Sequence, residues 1–323
     1  DRLLARALKW SRADPRVGHY AASLIQHKRP ESAALAMLAM CLIGIGWGWF
    51  ALLAVVMTRR GPLALDQQAY AAMAALRNPL ADRFMAALAS LGDLQILLPA
   101  LALSLCWLLW RRRFAAAMHW LAAVAFGFAF TAFLALSVEM PRPPTALDGF
   151  GFPSIPVTML TIVFGFFAVL IAREMPGRQR VWPYLVAGVA VALPGFARLY
   201  FGAHWLSDIV GGALFGILWL LVLGIAYRRH IGRSFWMRPV ATVFYLSFAI
   251  AALWHAPRSV DGVLAQFAPP PPTRQLTTED WWHREWRSLP MRRNERDPNR
   301  RWPLDVQIAG PLAPVRARLE AAG

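Results

Sequence analysis

The sequence predicts an all-α fold, a polytopic membrane helical bundle of about seven spans, six in a core plus one further span. Three observations carry that reading. Hydrophobic residues fill 58% of the 323 positions and the mean hydropathy is positive, whereas an ordinary soluble domain is about 45–50% apolar. Several uninterrupted apolar runs approach the ~20 residues that a helix needs to cross a bilayer, and no polar face recurs within them at helical spacing. The basic residues behind the formal net charge of +16 gather in short loops between those runs and in a C-terminal tail. Charge along one soluble face would point to nucleic acid. Charge parcelled among loops points to topogenic segments beside a bilayer and argues against that partner.

The elements follow in order. Residues 1–32 make a basic cytoplasmic segment, with Lys9, Arg12, Arg16, Lys28 and Arg29 leading into a first span from Ala33 to Met57. Leu65 to Leu91 is amphipathic and broken at Asn78-Pro79, so it is placed on the membrane surface. Further spans run from Leu94 to Trp110, Phe114 to Val138, Val157 to Ala172, Val181 to Phe196 and Leu206 to Tyr227. Residues 33–227 are thus the six-span core, and 228–255 hold a cytoplasmic loop and a seventh span, Pro239 to Trp254. Arg111-Arg112-Arg113 and the arginines of 173–180 and 228–238 fall on one side by alternation, which makes that side cytoplasmic. Arg59 and Arg60 oppose the trend. The opposite side receives 141–156, 197–205 and the tail 256–323. In that tail Pro269 to Pro272 reads as a stiff spacer, and Trp281, Trp282, Trp286 and Trp302 lie in an Arg-rich stretch. Residues 304–310 alternate like a strand, and Leu312 to Ala322 reads as a short helix. The chain opens on Asp1 and stops at Gly323, and reads as a piece of a longer protein. Cys41 and Cys106 both lie in apolar spans and offer neither a disulfide framework nor metal-ligand spacing.

The sharpest chemical feature is Arg198, His204 and Asp208 at the mouth of the sixth span. Residues four apart share a helix face. A carboxylate there can hold the proton on one imidazole nitrogen and leave the other free to attack. Taken alone, the pair is better read as a hydrogen bond stabilising a helix end. Two other segments on the same membrane face change that. Pro141-Arg142-Pro143 brings a second guanidinium, and Pro153-Ser154 places a hydroxyl at a helix start, where backbone N–H groups favour anions. Together they outline a phosphate cradle. His119 falls at the other end of the third span and reads as a structural hydrogen-bonder.

These three segments resemble the three-part signature of the type 2 phosphatidic acid phosphatase superfamily: Lys-x6-Arg-Pro, Pro-Ser-Gly-His and Ser-Arg-x5-His-x3-Asp. The Gly202 to Gly212 stretch, Gly-Ala-His-Trp-Leu-Ser-Asp-Ile-Val-Gly-Gly, is close to that usage. The tail from Val306 to Leu312 further resembles the start of an LssY-type domain, and some such proteins carry another membrane domain upstream. The resemblance implies His204 as the phosphate-accepting nucleophile, Asp208 as its orienter, and Arg142, Arg198 and Ser154 as phosphate ligands. It implies no cofactor and no metal. It also implies a bacterial-type inner membrane location, with the site and the C-terminal tail extracytoplasmic.

Three departures bear on activity. Ala135 stands at the lysine of the first motif, Ile155-Pro156 replace Gly-His in the second, and Ala197 replaces the serine of the third. The histidine missing at Pro156 is the one that protonates the leaving oxygen in the family, and proline cannot donate a proton. Three readings therefore stay open. The chain binds a lipid phosphate but hydrolyses it slowly or not at all. It is a phosphatase, acting for instance on an isoprenyl diphosphate, whose phosphate leaving group needs less protonation than an alkoxide. Or it is a scaffold presenting the tail, with homo-oligomers or a fused upstream domain as further partners. His255, expected at the outer end of the seventh span, is either a replacement acid or an interfacial residue beside Trp254.

Overall fold

A computed structural model describes residues 30–59, 61–146, 149–230, 238–268, 277–283, 287, 292–293, 302–303 and 312–322. The predicted basic segment, proline spacer and 304–310 strand lie outside these, apart from residues 30–32 and 268. The elements are α1 (Pro30–Arg59), α2 (Ala64–Ala75), α3 (Pro79–Ala89), a 3-10 turn (Ser90–Gly92), α4 (Leu94–Trp110) and α5 (Phe114–Val138). Then come α6 (Ile155–Glu174), a second 3-10 turn (Gly177–Arg180), α7 (Val181–Tyr200), α8 (Leu206–His230) and α9 (Arg238–Gln266). In the tail are α10 (Thr278–His283), β1 (Arg292–Arg293) paired antiparallel with β2 (Trp302–Pro303), and α11 (Leu312–Ala322). The last helix has the predicted bounds. The two-residue pairing is the one departure from helix among the described elements.

Seven helical stretches among the described residues are long and apolar enough to cross a membrane. Around them large apolar residues face outward as well as inward: Trp47, Phe133, Leu136 and Leu253 are exposed on the outside, as a lipid-facing surface requires. α6 is the central helix. Its apolar stretch is 67% buried, against 44% or less for every other, and it packs on α5, α7 and α8. Its threonines do not leave polar groups unpaired in that core, because Thr158 and Thr161 donate to the Ser154 and Val157 carbonyls at 2.9 and 2.8 Å. An aromatic cluster of Phe164, Phe167 and Phe244 joins α6 to α9.

Small residues set the closest approach. A Cβ on Gly211, Gly212 or Gly216 of α8 would come within 2.6 Å of the Phe152 ring, 2.8 Å of the Ser154 carbonyl oxygen and 2.7 Å of Thr161 respectively. The glycine face therefore brings α8 directly onto the start of α6, so that the second and third motifs touch.

Three expected boundaries move. α7 continues past Phe196 to Tyr200, which puts Arg198 in its last turn rather than in a loop. α9 runs through Pro257 to Gln266 rather than ending at Trp254, so residues 256–266 of the expected linker are helix. Beside Pro257, the Trp254 carbonyl accepts from the Arg258 guanidinium at 2.5 Å, and that guanidinium stacks over the Trp254 ring. The 65–91 segment, expected on the membrane surface, is α2 and α3, packed on α7, α8 and α9 at one end of the bundle.

Candidate active site

The first wall is a loop between α5 and α6. Glu139 adopts a left-handed conformation (φ 53°) that turns the chain out of α5. Pro141 and Phe150 then form a β-bridge, with Gly151 N donating to Met140 O at 2.9 Å and Arg142 N to Gly149 O at 3.2 Å. Arg142 Nε donates to the Phe150 carbonyl at 3.1 Å, so its direction is fixed by the hairpin that carries it. Gly151 has no room for a side chain: a Cβ there would lie 2.7 Å from Asp208 Oδ2.

The second wall is the α7–α8 junction. Gly202 sits at φ 61°, with Tyr70 and Thr145 closing the space a Cβ would need. Thr145 Oγ1 lies 2.9 Å from both the Phe201 and Gly202 carbonyls, and Trp205 Nε1 donates to Pro141 O at 2.7 Å. These bonds pin the first wall to the second. α8 begins with one half of a capping box, in which the Trp205 N–H donates to Asp208 Oδ2 at 2.9 Å. Ser207 is anchored in turn, its N–H and Oγ donating to the two oxygens of buried Asp66 at 2.8 Å each.

Between the walls lies a cavity of about 360 Å³ lined by, among others, Asp93, Arg142, Pro156, Arg198 and His204. A volume of that order is at the lower end for small-ligand sites, roughly 300–1,000 Å³. His204 is buried, with Nδ1 3.5 Å from Asp208 Oδ2. That is long for a hydrogen bond, and Nδ1 has no partner within bonding geometry. Burial holds the imidazole below its ordinary value of 6.5, opposed by the neighbouring Asp208 carboxylate and reinforced by Arg198 and Arg142. The ring is therefore neutral near pH 7, as a nucleophilic nitrogen must be. Arg198 donates through Nη2 to Asp93 Oδ1 at 3.0 Å. Four buried polar atoms here lack a hydrogen-bond partner within the protein: Arg198 Nε, His204 Nδ1, Asp208 Oδ1 and Ser154 Oγ. Such groups are rare in a finished core and common where a ligand binds.

The residues singled out in the sequence divide accordingly. Arg142, Arg198 and His204 converge on one cavity, with Asp208 directly behind His204. Ser154 does not line it: the residue is fully enclosed against Gly212 of α8, held by its own N–H donating to the Asp208 carbonyl at 3.0 Å. The substituted positions Ala135 and Pro156 do line it. His255 lies within α9, off the cavity, with Nε2 3.5 Å from Asp93 Oδ2. His119 donates to the Ala115 carbonyl one turn away, at 2.7 Å. Sequence reasoning missed Asp93 and Asp66. The signal for Asp93 was available, as a lone carboxylate opening an apolar span is costly and so tends to be functional.

The helical bundle gathers two arginines and a histidine–aspartate pair at one end of its helices, an arrangement suited to binding a phosphate group. The comparisons with known proteins agree. Residues 136–232 match the model of the PAP2 superfamily. It is similar to phosphatidylglycerophosphatase B of Bacillus subtilis, 25% identical over 176 residues, which are 53% of this chain and 87% of that protein. Its fold is similar to the crystal structure of the transmembrane PAP2-type phosphatidylglycerolphosphate phosphatase from Bacillus subtilis, with a TM-score of 0.52 and 20% identity over 59% of this chain and 98% of the other.

Proposed function

We propose that this chain binds the phosphate of an amphiphilic lipid, a lipid phosphate or isoprenyl diphosphate, and hydrolyses it through a phosphoryl group carried on His204. The observation behind this is the convergence of Arg142, Arg198 and His204 on one cavity. Two guanidiniums neutralise a phosphate and fix its orientation. Asp208 faces the Nδ1–H and holds the proton on that nitrogen, which leaves Nε2 to attack phosphorus. An amphiphile is favoured because an apolar groove of about 480 Å³ between α6, α7 and α8 begins at Val157, Gly195 and Ile209, within a turn of Pro156 and Arg198. The arginine-rich loops at the other end of the helices favour placing the cavity on the extracytoplasmic face of a bacterial inner membrane.

Purified protein in detergent is expected to release phosphate from isoprenyl diphosphate and from phosphatidic acid, with His204→Ala abolishing both. Phosphate release unaffected by that substitution would refute the assignment. A second reading, a binder without turnover, is favoured by Pro156 at the position where a proton donor is required. It predicts retained vanadate binding with no phosphate release.

A further inference from the structure

Cleaving an alkyl phosphate requires a proton for the departing alkoxide, and Pro156 has none to give. Among the described lining residues of the cavity, the ionisable groups are Asp93, Arg142, Arg198 and His204. Arginine does not release its proton in proteins, and His204 is committed to attack. Asp93 is what remains. It is also in the right place: a Cβ on the preceding Gly92 would lie 3.2 Å from the Pro156 side chain and 3.5 Å from Arg198 Nη2. The 3-10 turn Ser90–Gly92 thus lays the start of α4 directly beside the second motif.

We propose that Asp93 is the proton donor of this site, positioned by His255 of α9. This rests on the reading of His204 as nucleophile. In the ligand-free protein Asp93 is the counter-ion of Arg198, at 3.0 Å, and its other oxygen faces His255 Nε2 at 3.5 Å. A bound phosphate takes over the Arg198 guanidinium and sets a second negative charge beside the carboxylate. Two anions in one site are relieved when one of them takes up a proton. As His204 Nε2 forms its bond to phosphorus, the P–O bond to the alcohol breaks and that oxygen takes the proton from Asp93. Water then attacks the phosphorylated histidine and returns a proton to the Asp93 carboxylate, so the group ends as it began. His255 is a positioning residue: it holds the carboxylate oxygen on the side away from Arg198 and does not reach the cavity.

The test compares phosphatidic acid, whose alkoxide must be protonated, with 4-nitrophenyl phosphate, whose leaving group need not be. Asp93→Asn is expected to lower turnover of phosphatidic acid by about 10²–10⁴-fold, the usual contribution of a general acid, and to leave 4-nitrophenyl phosphate within about tenfold of the parent. His255→Gln shifts the two rates in the same selective way, more weakly. Pro156→His added to Asp93→Asn restores the phosphatidic acid rate. An equal loss on both substrates would make Asp93 only the counter-ion of Arg198 and overturn the proposal. So would a parent protein that turns over 4-nitrophenyl phosphate but not phosphatidic acid. His204→Ala on 4-nitrophenyl phosphate separates the two assignments: activity surviving there removes the nucleophile, whatever Asp93 does, and a parent inactive on both substrates removes both.

Discussion

The wall formed by Arg198 to His204, with Asp208 behind it, and the wall formed by Ala135, Ile155 and Pro156 face the same cavity with different chemistry. The first has its residues held from several directions. Trp205 is tied to Pro141, Thr145 to the Phe201 and Gly202 carbonyls, Ser207 to Asp66, and Asp208 caps its own helix while flanking His204. The second presents a methyl group and a pyrrolidine ring where a cation and a proton donor would be expected. Under the proposed function, the phosphate side keeps its positioning and charge, and the leaving-group side has lost a cation and a proton donor. On that reading a motif is lost without the site being lost, because a neighbouring element, the Gly92-Asp93 turn, borders the same space.

Substitutions on the two walls should therefore differ in size and in sign. Arg198→Ala removes charge-assisted hydrogen bonds of about 1.5–3 kcal/mol, and is expected to weaken vanadate inhibition by roughly 10- to 150-fold. Arg142→Ala should act in the same direction. Pro156→His in the otherwise unchanged chain is expected to raise phosphatidic acid turnover by less than about tenfold. A site with no donor of its own would gain about 10²–10⁴-fold, and that larger gain would equalise the two walls in the opposite sense.

The pH dependence of kcat/KM sharpens the same contrast. Because burial keeps the His204 imidazole below 6.5, the acid limb of the profile should fall below that value. Asp208 is the group that raises it, so Asp208→Asn is expected to move the limb lower still while reducing the rate. A limb above 6.5 in the parent would contradict the burial of this ring. Gly151→Ala drives a methyl group into Asp208 and Arg142, which as an overpacking change should cost about 1–3 kcal/mol of stability, read as a lower melting temperature in detergent. At the far end of the bundle His119→Gln is expected to change neither turnover nor inhibition.

Much of this could be read from the chain itself. Apolar runs gave the number of spans, because a bilayer admits few alternatives, and the spacing of Arg198, His204 and Asp208 anticipated that these three side chains lie close together. The seventh span is an exception: expected to end at Trp254, it runs on through Pro257 to Gln266. Ser154 illustrates a different limit. Its position at the start of α6 was legible, but which way its hydroxyl turns depends on the close approach of Gly212, a tertiary contact with no local signature. Asp66 escaped for the same reason, since it is joined to Ser207 across more than a hundred residues of chain.

The central claim is that His204 carries the phosphoryl group. Rapid quenching of the purified protein with lipid substrate labelled in the transferred phosphate, followed by peptide mapping, tests it directly. The expected result is an acid-labile, base-stable label on the peptide containing His204, absent in His204→Ala. Turnover at the normal rate with no covalent label, or with label on another residue, would contradict it.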